Sequence, residues 1–104
     1  MATNGKAKPK LDSKVTLEKL EKYWALSEKA LKMAMDAVDS SKKKEAEDFL
    51  NMTSCYLSDS KHFAKQGNYV TAFGAVNYAH AWLDAGARIG LFKVRDSSLF
   101  TVDD

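Results

Sequence analysis

The sequence predicts an all-α protein, an up-down-up antiparallel three-helix bundle, on three observations. Apolar residues recur three and four apart over three long segments, 17–38, 41–66 and 69–92, which is helical spacing. The breaks between these segments are only two or three residues long, so consecutive helices must be antiparallel neighbours. No segment gives a convincing strand pattern. Residues 15–104 are therefore expected to form one helical-bundle domain.

The first 14 residues contain the only proline and almost no large apolar side chains, which is typical of a disordered tail. Four lysines against one aspartate give this tail a net charge of +3, within a chain whose formal net charge is +2. We interpret it as a solubilising leader. Contact between these lysines and nucleic-acid phosphates stays open as the less favoured alternative.

The first helix is expected from Leu17 to Val38, with Thr16 as its N-cap. The second is expected from about residue 41 to Gln66, with Ser40 or Ser41 as its cap. Its end is marked by Gly67, which can adopt the left-handed conformation that closes many helices. The residues on its core-facing stripes are Ala46, Phe49, Leu50, Thr53, Tyr56, Leu57, Ser60, Phe63 and Ala64.

The third helix, expected from Tyr69 to Phe92, is the most apolar segment of the chain. It contains three glycines, each of which costs about 1 kcal/mol relative to alanine inside a helix, so the sequence demands a packing reason for them. Small residues recur near one face and predict the close approach of another backbone. These residues are Ala72, Ala75, Ala79, Gly86 and Gly90.

The segment after Phe92 is polar except for Leu99, Phe100 and Val102. We expect it to fold back across the bundle or to cover the same surface on a second copy. Together with Gly86 and Gly90, these three apolar residues form the predicted interaction surface.

A polar stripe is also predicted on the third helix. Its members are spaced three, four and four apart and fall within about 80° of the helix circumference. They are Asn77, His80, Asp84 and Arg88. A histidine, a carboxylate and a guanidinium together could bind an anion or transfer a proton. The favoured alternative is an exposed face on which Asp84 and Arg88 form an ordinary ion pair.

Several functions are disfavoured by what the chain contains. One cysteine, Cys55, allows no intramolecular disulfide and fits a reducing, cytoplasmic location. No apolar run is long enough to cross a membrane, and the first residues lack the apolar core that a secretory signal needs, so neither a membrane span nor a signal is expected. Two histidines without metal-ligand spacing predict no metal site, and no glycine-rich phosphate loop follows a strand, so no cofactor is expected.

The segments YLSDSKHF at 56–63, GNYVTAF at 67–73 and NYAHAWLDAGARIGLF at 77–92 resemble an archaeal domain of unknown function, family 357. The resemblance covers the second half of the chain and extends to the first helix by pattern. It implies a small helical bundle and brings no catalytic residues with it.

Together these observations favour a non-enzymatic helical module that binds a protein partner or a second copy of itself through the third helix and the C-terminal tail. The alternative is a protein that binds a small ligand or RNA through the polar stripe.

Overall fold

A computed structural model describes residues 13–100 and confirms the three-helix bundle. Its helices are α1, Leu17–Asp36, α2, Lys43–Lys65, and α3, Tyr69–Arg88, and a short 3₁₀ turn, Ser40–Lys42, precedes α2. Within the described range there is no β-strand. Residues 1–12 of the predicted basic tail lie outside that range.

Thr16 and Gly67 form the helix boundaries predicted for them, at the start of α1 and the end of α2. Thr16 caps α1 as predicted, because its hydroxyl accepts a hydrogen bond from the Lys19 N–H at 3.1 Å. At the end of α2, Gly67 has a φ of +80°, and the N–H of Asn68 donates to the Phe63 carbonyl at 2.9 Å. This is the Schellman arrangement that the sequence predicted at this glycine.

The predicted end of α1 at Val38 is two residues too late. Val38 instead forms an isolated antiparallel bridge with Phe92. This bridge joins the C-terminal segment to the connection between α1 and α2. The Asp39 N–H donates to the Leu91 carbonyl at 2.9 Å. Because this pairing needs extended backbone, the helix ends before it.

The predicted end of α3 at Phe92 is four residues too late, and the placement of Gly90 inside the helix is wrong. Gly90 has a φ of +78°, and the N–H of Leu91 donates to the Gly86 carbonyl at 2.8 Å. The pattern repeats the one at the end of α2. The chain then turns back, which carries Phe92 beneath the helix.

The tripeptide Asp-Ser-Ser occurs twice and folds the same way each time. The Asp39 carboxylate accepts hydrogen bonds from the N–H and hydroxyl of Ser41, at 3.0 and 2.8 Å. The Asp96 carboxylate accepts the same two bonds from Ser98. These bonds, the hydroxyl bond foremost, lower the pKa of each carboxyl. The carboxylate of Asp39, rather than a serine hydroxyl, therefore caps the 3₁₀ turn before α2.

The core runs along α3, which packs against both other helices. Five of its fully buried residues are alanines, so the helices approach closely: Ala30, Ala34, Ala46, Ala72 and Ala79. The C-terminal segment adds Leu99 and Phe100, which are buried in the same cluster as Leu83 and Phe92. The predicted packing of the tail on the bundle is therefore confirmed for these two residues.

Candidate functional site

The polar stripe of α3 is divided among separate environments. Asn77 turns onto its own helix, where its amide donates to the Phe73 carbonyl at 3.0 Å. The Asp84 carboxylate lies 3.8 Å from Nε2 of His80. Arg88 is exposed and forms no ion pair with any residue between 13 and 100. The expected pair between Asp84 and Arg88 is therefore not formed.

His80 joins three segments of the chain. Its Nε2 lies 2.6 Å from the Leu99 carbonyl, and its Nδ1 lies 3.1 Å from the hydroxyl of Ser27 on α1. A carbonyl oxygen only accepts, so Nε2 carries the proton and donates it, and in the neutral ring Nδ1 accepts from Ser27. Both ring nitrogens are thus engaged in holding the C-terminal segment against α1 and α3.

A second polar junction joins all three helices. Ser60 of α2 is fully buried and donates to the Ala72 carbonyl at 2.6 Å, while the indole N–H of Trp24 donates to Ser60 at 2.8 Å. Ser60 was expected on a core-facing stripe of the second helix, without a role. A serine at a core-facing position indicates a polar junction, because a buried hydroxyl needs a hydrogen-bond partner.

The residues of the predicted interaction surface are placed mostly inside this chain. Gly86 lies where a Cβ would overlap the ring of Phe92, and Gly90 ends α3. Leu99 and Phe100 are buried under the bundle's own helices. Val102 lies outside the described residues. The described part of this surface therefore offers little for a partner to contact.

A different surface of α3 is exposed and mostly apolar, with Arg88 as its one charged residue at the C-terminal end of the helix. Val70, Tyr78 and Ile89 are exposed by 75%, 50% and 57%, which makes them three of the six large apolar side chains on the described surface. Small exposed residues lie between them on the same 100°-wide arc. We define the open face of α3 as Val70, Gly74, Tyr78, Ala81, Ala85 and Ile89.

Tyr78 is held in place by other rings. Its ring meets that of Tyr56 edge-on with centroids 4.5 Å apart, and the ring centroid of Trp82 lies 6.3 Å away. The indole N–H of Trp82 is buried and has no hydrogen-bond partner among the described residues. A rigid, half-exposed tyrosine of this kind is typical of binding surfaces.

Two of the concave regions near the connection between α1 and α2 differ in their lining. One, with a volume of about 580 Å³, we call the basic cleft, and it is lined by Ala87, Arg88, Gly90, Phe92, Lys93, Val94 and Arg95. The other is an apolar groove of about 530 Å³ between α1 and α2, whose walls include Leu31, Met35, Val38 and Leu50.

Other candidate chemistry has little geometry behind it. Across residues 13–100, no three His, Cys, Asp or Glu side chains are grouped so that they could hold a metal ion. No helix in the same range is long and apolar enough to span a bilayer. Cys55 is exposed on α2.

The fold and surfaces define a small all-α protein in which a central apolar helix is covered on one side by two others. The chain belongs to the family described as "Protein of unknown function (DUF357)", which matches residues 22–92. The match ends at Phe92, the residue that packs beneath Gly86. No curated protein and no solved structure shows significant similarity to the chain.

Proposed function

We propose that the protein is a non-enzymatic helical interaction module that forms a homodimer through the open face of α3. The observation that carries this proposal is the group of exposed apolar side chains on that face, Val70, Tyr78 and Ile89, where the one charged residue is Arg88 at the C-terminal end of α3. A surface helix normally turns charged and polar residues to water opposite its core-facing stripe. Contiguous apolar surface on a small protein typically marks an interaction site.

A second copy of the chain suits this face because the face complements itself. In an antiparallel pair with the twofold axis between residues 79 and 80, Tyr78 meets Ala81 of the second copy. In the same register Gly74 meets Ala85, and Val70 meets Ile89. The large ring is thus matched with a small residue, and the contacts are mutual, as a twofold interface requires.

The distribution of charge also favours a second copy of the chain as the partner of the open face. Asp84, the only charged residue from Tyr69 to Ala87, lies on the His80 side of α3 and outside the open face. In the proposed register Arg88 opposes the uncharged Thr71, and the two copies of Arg88 stay roughly 25 Å apart along the axis at 1.5 Å per residue. A partner recognised by charge would find only Arg88, at one end of the face, to pair with. We place the dimer in the cytoplasm, where the exposed thiol of Cys55 stays reduced.

The test is the mass in solution, measured by light scattering. We expect the wild type to give twice the chain mass of 11.6 kDa and Ala81→Glu to give the monomer mass. The matched control is Ala25→Glu, the same change at an exposed alanine of α1, which should remain a dimer. A wild type that stays monomeric at millimolar concentration would contradict the proposal.

The apolar groove between α1 and α2 is the competing surface, and Met35 on its wall is 59% exposed. The variant Met35→Glu distinguishes the groove from the open face of α3 as the dimer interface. If Met35→Glu abolishes the dimer while Ala81→Glu leaves it intact, the interface is the groove and the proposal for α3 is wrong. We expect the reverse result.

A further inference from the structure

The basic cleft at the C-terminal end of α3 collects the arginines of the chain. Of the sixteen basic residues in the sequence only Arg88 and Arg95 are arginines, and both line this cleft. Lys93 is a third cation, and no acidic residue is among the lining residues. Elsewhere the chain uses lysine for its positive charges. An arginine offers a planar fork of donors that fits a phosphate with two parallel hydrogen bonds, which a lysine cannot do.

The charges in the cleft are poorly neutralised by the chain itself. Neither Arg88 nor Arg95 forms an ion pair with any residue in the described part of the chain. Nζ of Lys93 lies 4.0 Å from the Asp39 carboxylate, whose oxygen already accepts two hydrogen bonds from Ser41. Like charges held in one cleft repel each other, and a bound anion would relieve that repulsion.

The end of a helix normally presents negative carbonyl groups that would oppose an anion. Here those carbonyls are occupied. The Gly86 carbonyl accepts from the Leu91 N–H at 2.8 Å, and the Ala87 carbonyl accepts from the Gly90 N–H at 3.2 Å. The Ile89 carbonyl accepts from Nζ of Lys42 at 3.4 Å. The turn at Gly90 therefore removes much of the negative edge that α3 would otherwise present.

We propose that the basic cleft binds a small molecule carrying a phosphate or diphosphate group, with Arg88 and Arg95 as the groups that hold it. A volume of about 580 Å³ is within the range of small-molecule sites, and Ala87 and Val94 supply apolar wall for the rest of such a ligand. This inference rests on the lining of the basic cleft and goes beyond the proposed dimer.

RNA is the less favoured anion. A single strand needs a basic track that follows its backbone and aromatic rings for its bases. The lysines at 42–44 are followed at once by Glu45, Glu47 and Asp48, which interrupts any track running from the cleft along α2. The ring of Phe92 is buried and is closed to stacking.

The experiment titrates the full chain with inorganic pyrophosphate, by calorimetry and by following backbone amide resonances. We expect one site per chain, with the largest resonance changes at residues 88–95. Arg88→Gln and Arg95→Gln should each raise the Kd at least tenfold, and Arg95→Lys should recover only part of the loss because it restores charge without the fork. Lys22→Gln, which removes an exposed charge from α1, is the control and should bind as the wild type does.

Three results would overturn the proposal. The first is a wild type that does not bind pyrophosphate. The second is an equal weakening by Arg88→Gln, Arg95→Gln and Lys22→Gln, which would mean diffuse attraction to net charge. The third is a single-stranded RNA oligonucleotide that binds more tightly than pyrophosphate and depends on the same two arginines. Circular dichroism of each variant checks that the helices are intact.

Discussion

Two glycines of α3, Gly86 and Gly74, stand in opposite surroundings. A Cβ on Gly86 would overlap the Phe92 ring and press on Phe49 at 3.3 Å, whereas a Cβ on Gly74 would meet nothing within 4 Å. Both carry the conformational cost of glycine inside a helix, about 1 kcal/mol relative to alanine. The inner face of α3 is thus explained by packing within one chain. The outer face is not, and the proposed dimer would supply the missing reason.

Gly86→Ala should have the largest effect on stability. The added methyl group forces the buried ring of Phe92 to move, and overpacking of this kind costs about 2–3 kcal/mol. Urea denaturation should show this loss as a lower midpoint at an unchanged slope. Gly74→Ala, the same change in the same helix, serves as the control. If Gly86→Ala and Gly74→Ala change the free energy of unfolding equally, the inner and outer faces of α3 do not differ in packing as described.

His80→Ala should cost somewhat less, about 1–2 kcal/mol, because it removes two hydrogen bonds and leaves the buried hydroxyl of Ser27 without this partner. Hydrogen exchange should also quicken at the amide of Phe100, which donates to the Asp96 carbonyl at 2.9 Å in the turn that His80 holds. Asn77→Ala, at an exposed position of the same stripe, is the comparison. If His80→Ala is no more destabilising than Asn77→Ala, His80 is free for a ligand instead.

Gly74→Ala should act in two directions. Below the concentration at which the chain associates, alanine should stabilise the helix by up to about 1 kcal/mol and raise the Tm by a few degrees. At high concentration the methyl group meets Ala85 of the second copy and should weaken the dimer, which light scattering detects. If Gly74→Ala changes the stability of the chain but not its association, Gly74 does not lie in the dimer interface.

The smallest expected effect is on the pH dependence of stability, through Asp39 at the α1–α2 connection. The hydroxyl hydrogen bond from Ser41, then the N–H bond, lowers the pKa of Asp39 in the folded chain. Its contribution is therefore complete above about pH 4, the pKa of a free aspartate, and is lost as the pH falls through the folded pKa.

Asp39→Asn should flatten the fall of Tm below about pH 4, because the titrating carboxylate is gone. The comparison is Asp59→Asn, at an exposed position of α2 that forms no hydrogen bond with the rest of residues 13–100. If the Tm of Asp39→Asn falls at acidic pH in the same way as the Tm of the wild type, the turn at Asp39 contributes nothing to acid stability.

The bundle could be predicted because its signals are local. Helical spacing, the Thr16 cap and the glycine at 67 each act within a few residues. The end of α3 was missed because Ile89, Leu91 and Phe92 continue an apolar run, and such a run does not distinguish a helix from a buried turn. The decisive contact, Val38 with Phe92, joins residues far apart in the sequence.

The candidate sites were predictable only in part. Spacing placed the polar residues on one side of α3, but the partner of His80 is a backbone carbonyl at Leu99, which no residue pattern encodes. The basic cleft depends on the turn at Gly90, which brings Arg95 near Arg88. The open face was not predicted, because its small residues Gly74, Ala81 and Ala85 lie off the face that the sequence associated with the close approach of another backbone.

The most direct test of the central claim is cross-linking between copies in a Cys55→Ser background, with Val70→Cys and Ile89→Cys on separate chains. In the antiparallel register positions 70 and 89 of different copies are adjacent, while like positions lie roughly 28 Å apart at 1.5 Å per residue. A short bis-maleimide should therefore link the mixed sample and leave each single variant unlinked. Linkage within either single variant, or none in the mixture, would contradict a dimer formed through the open face of α3.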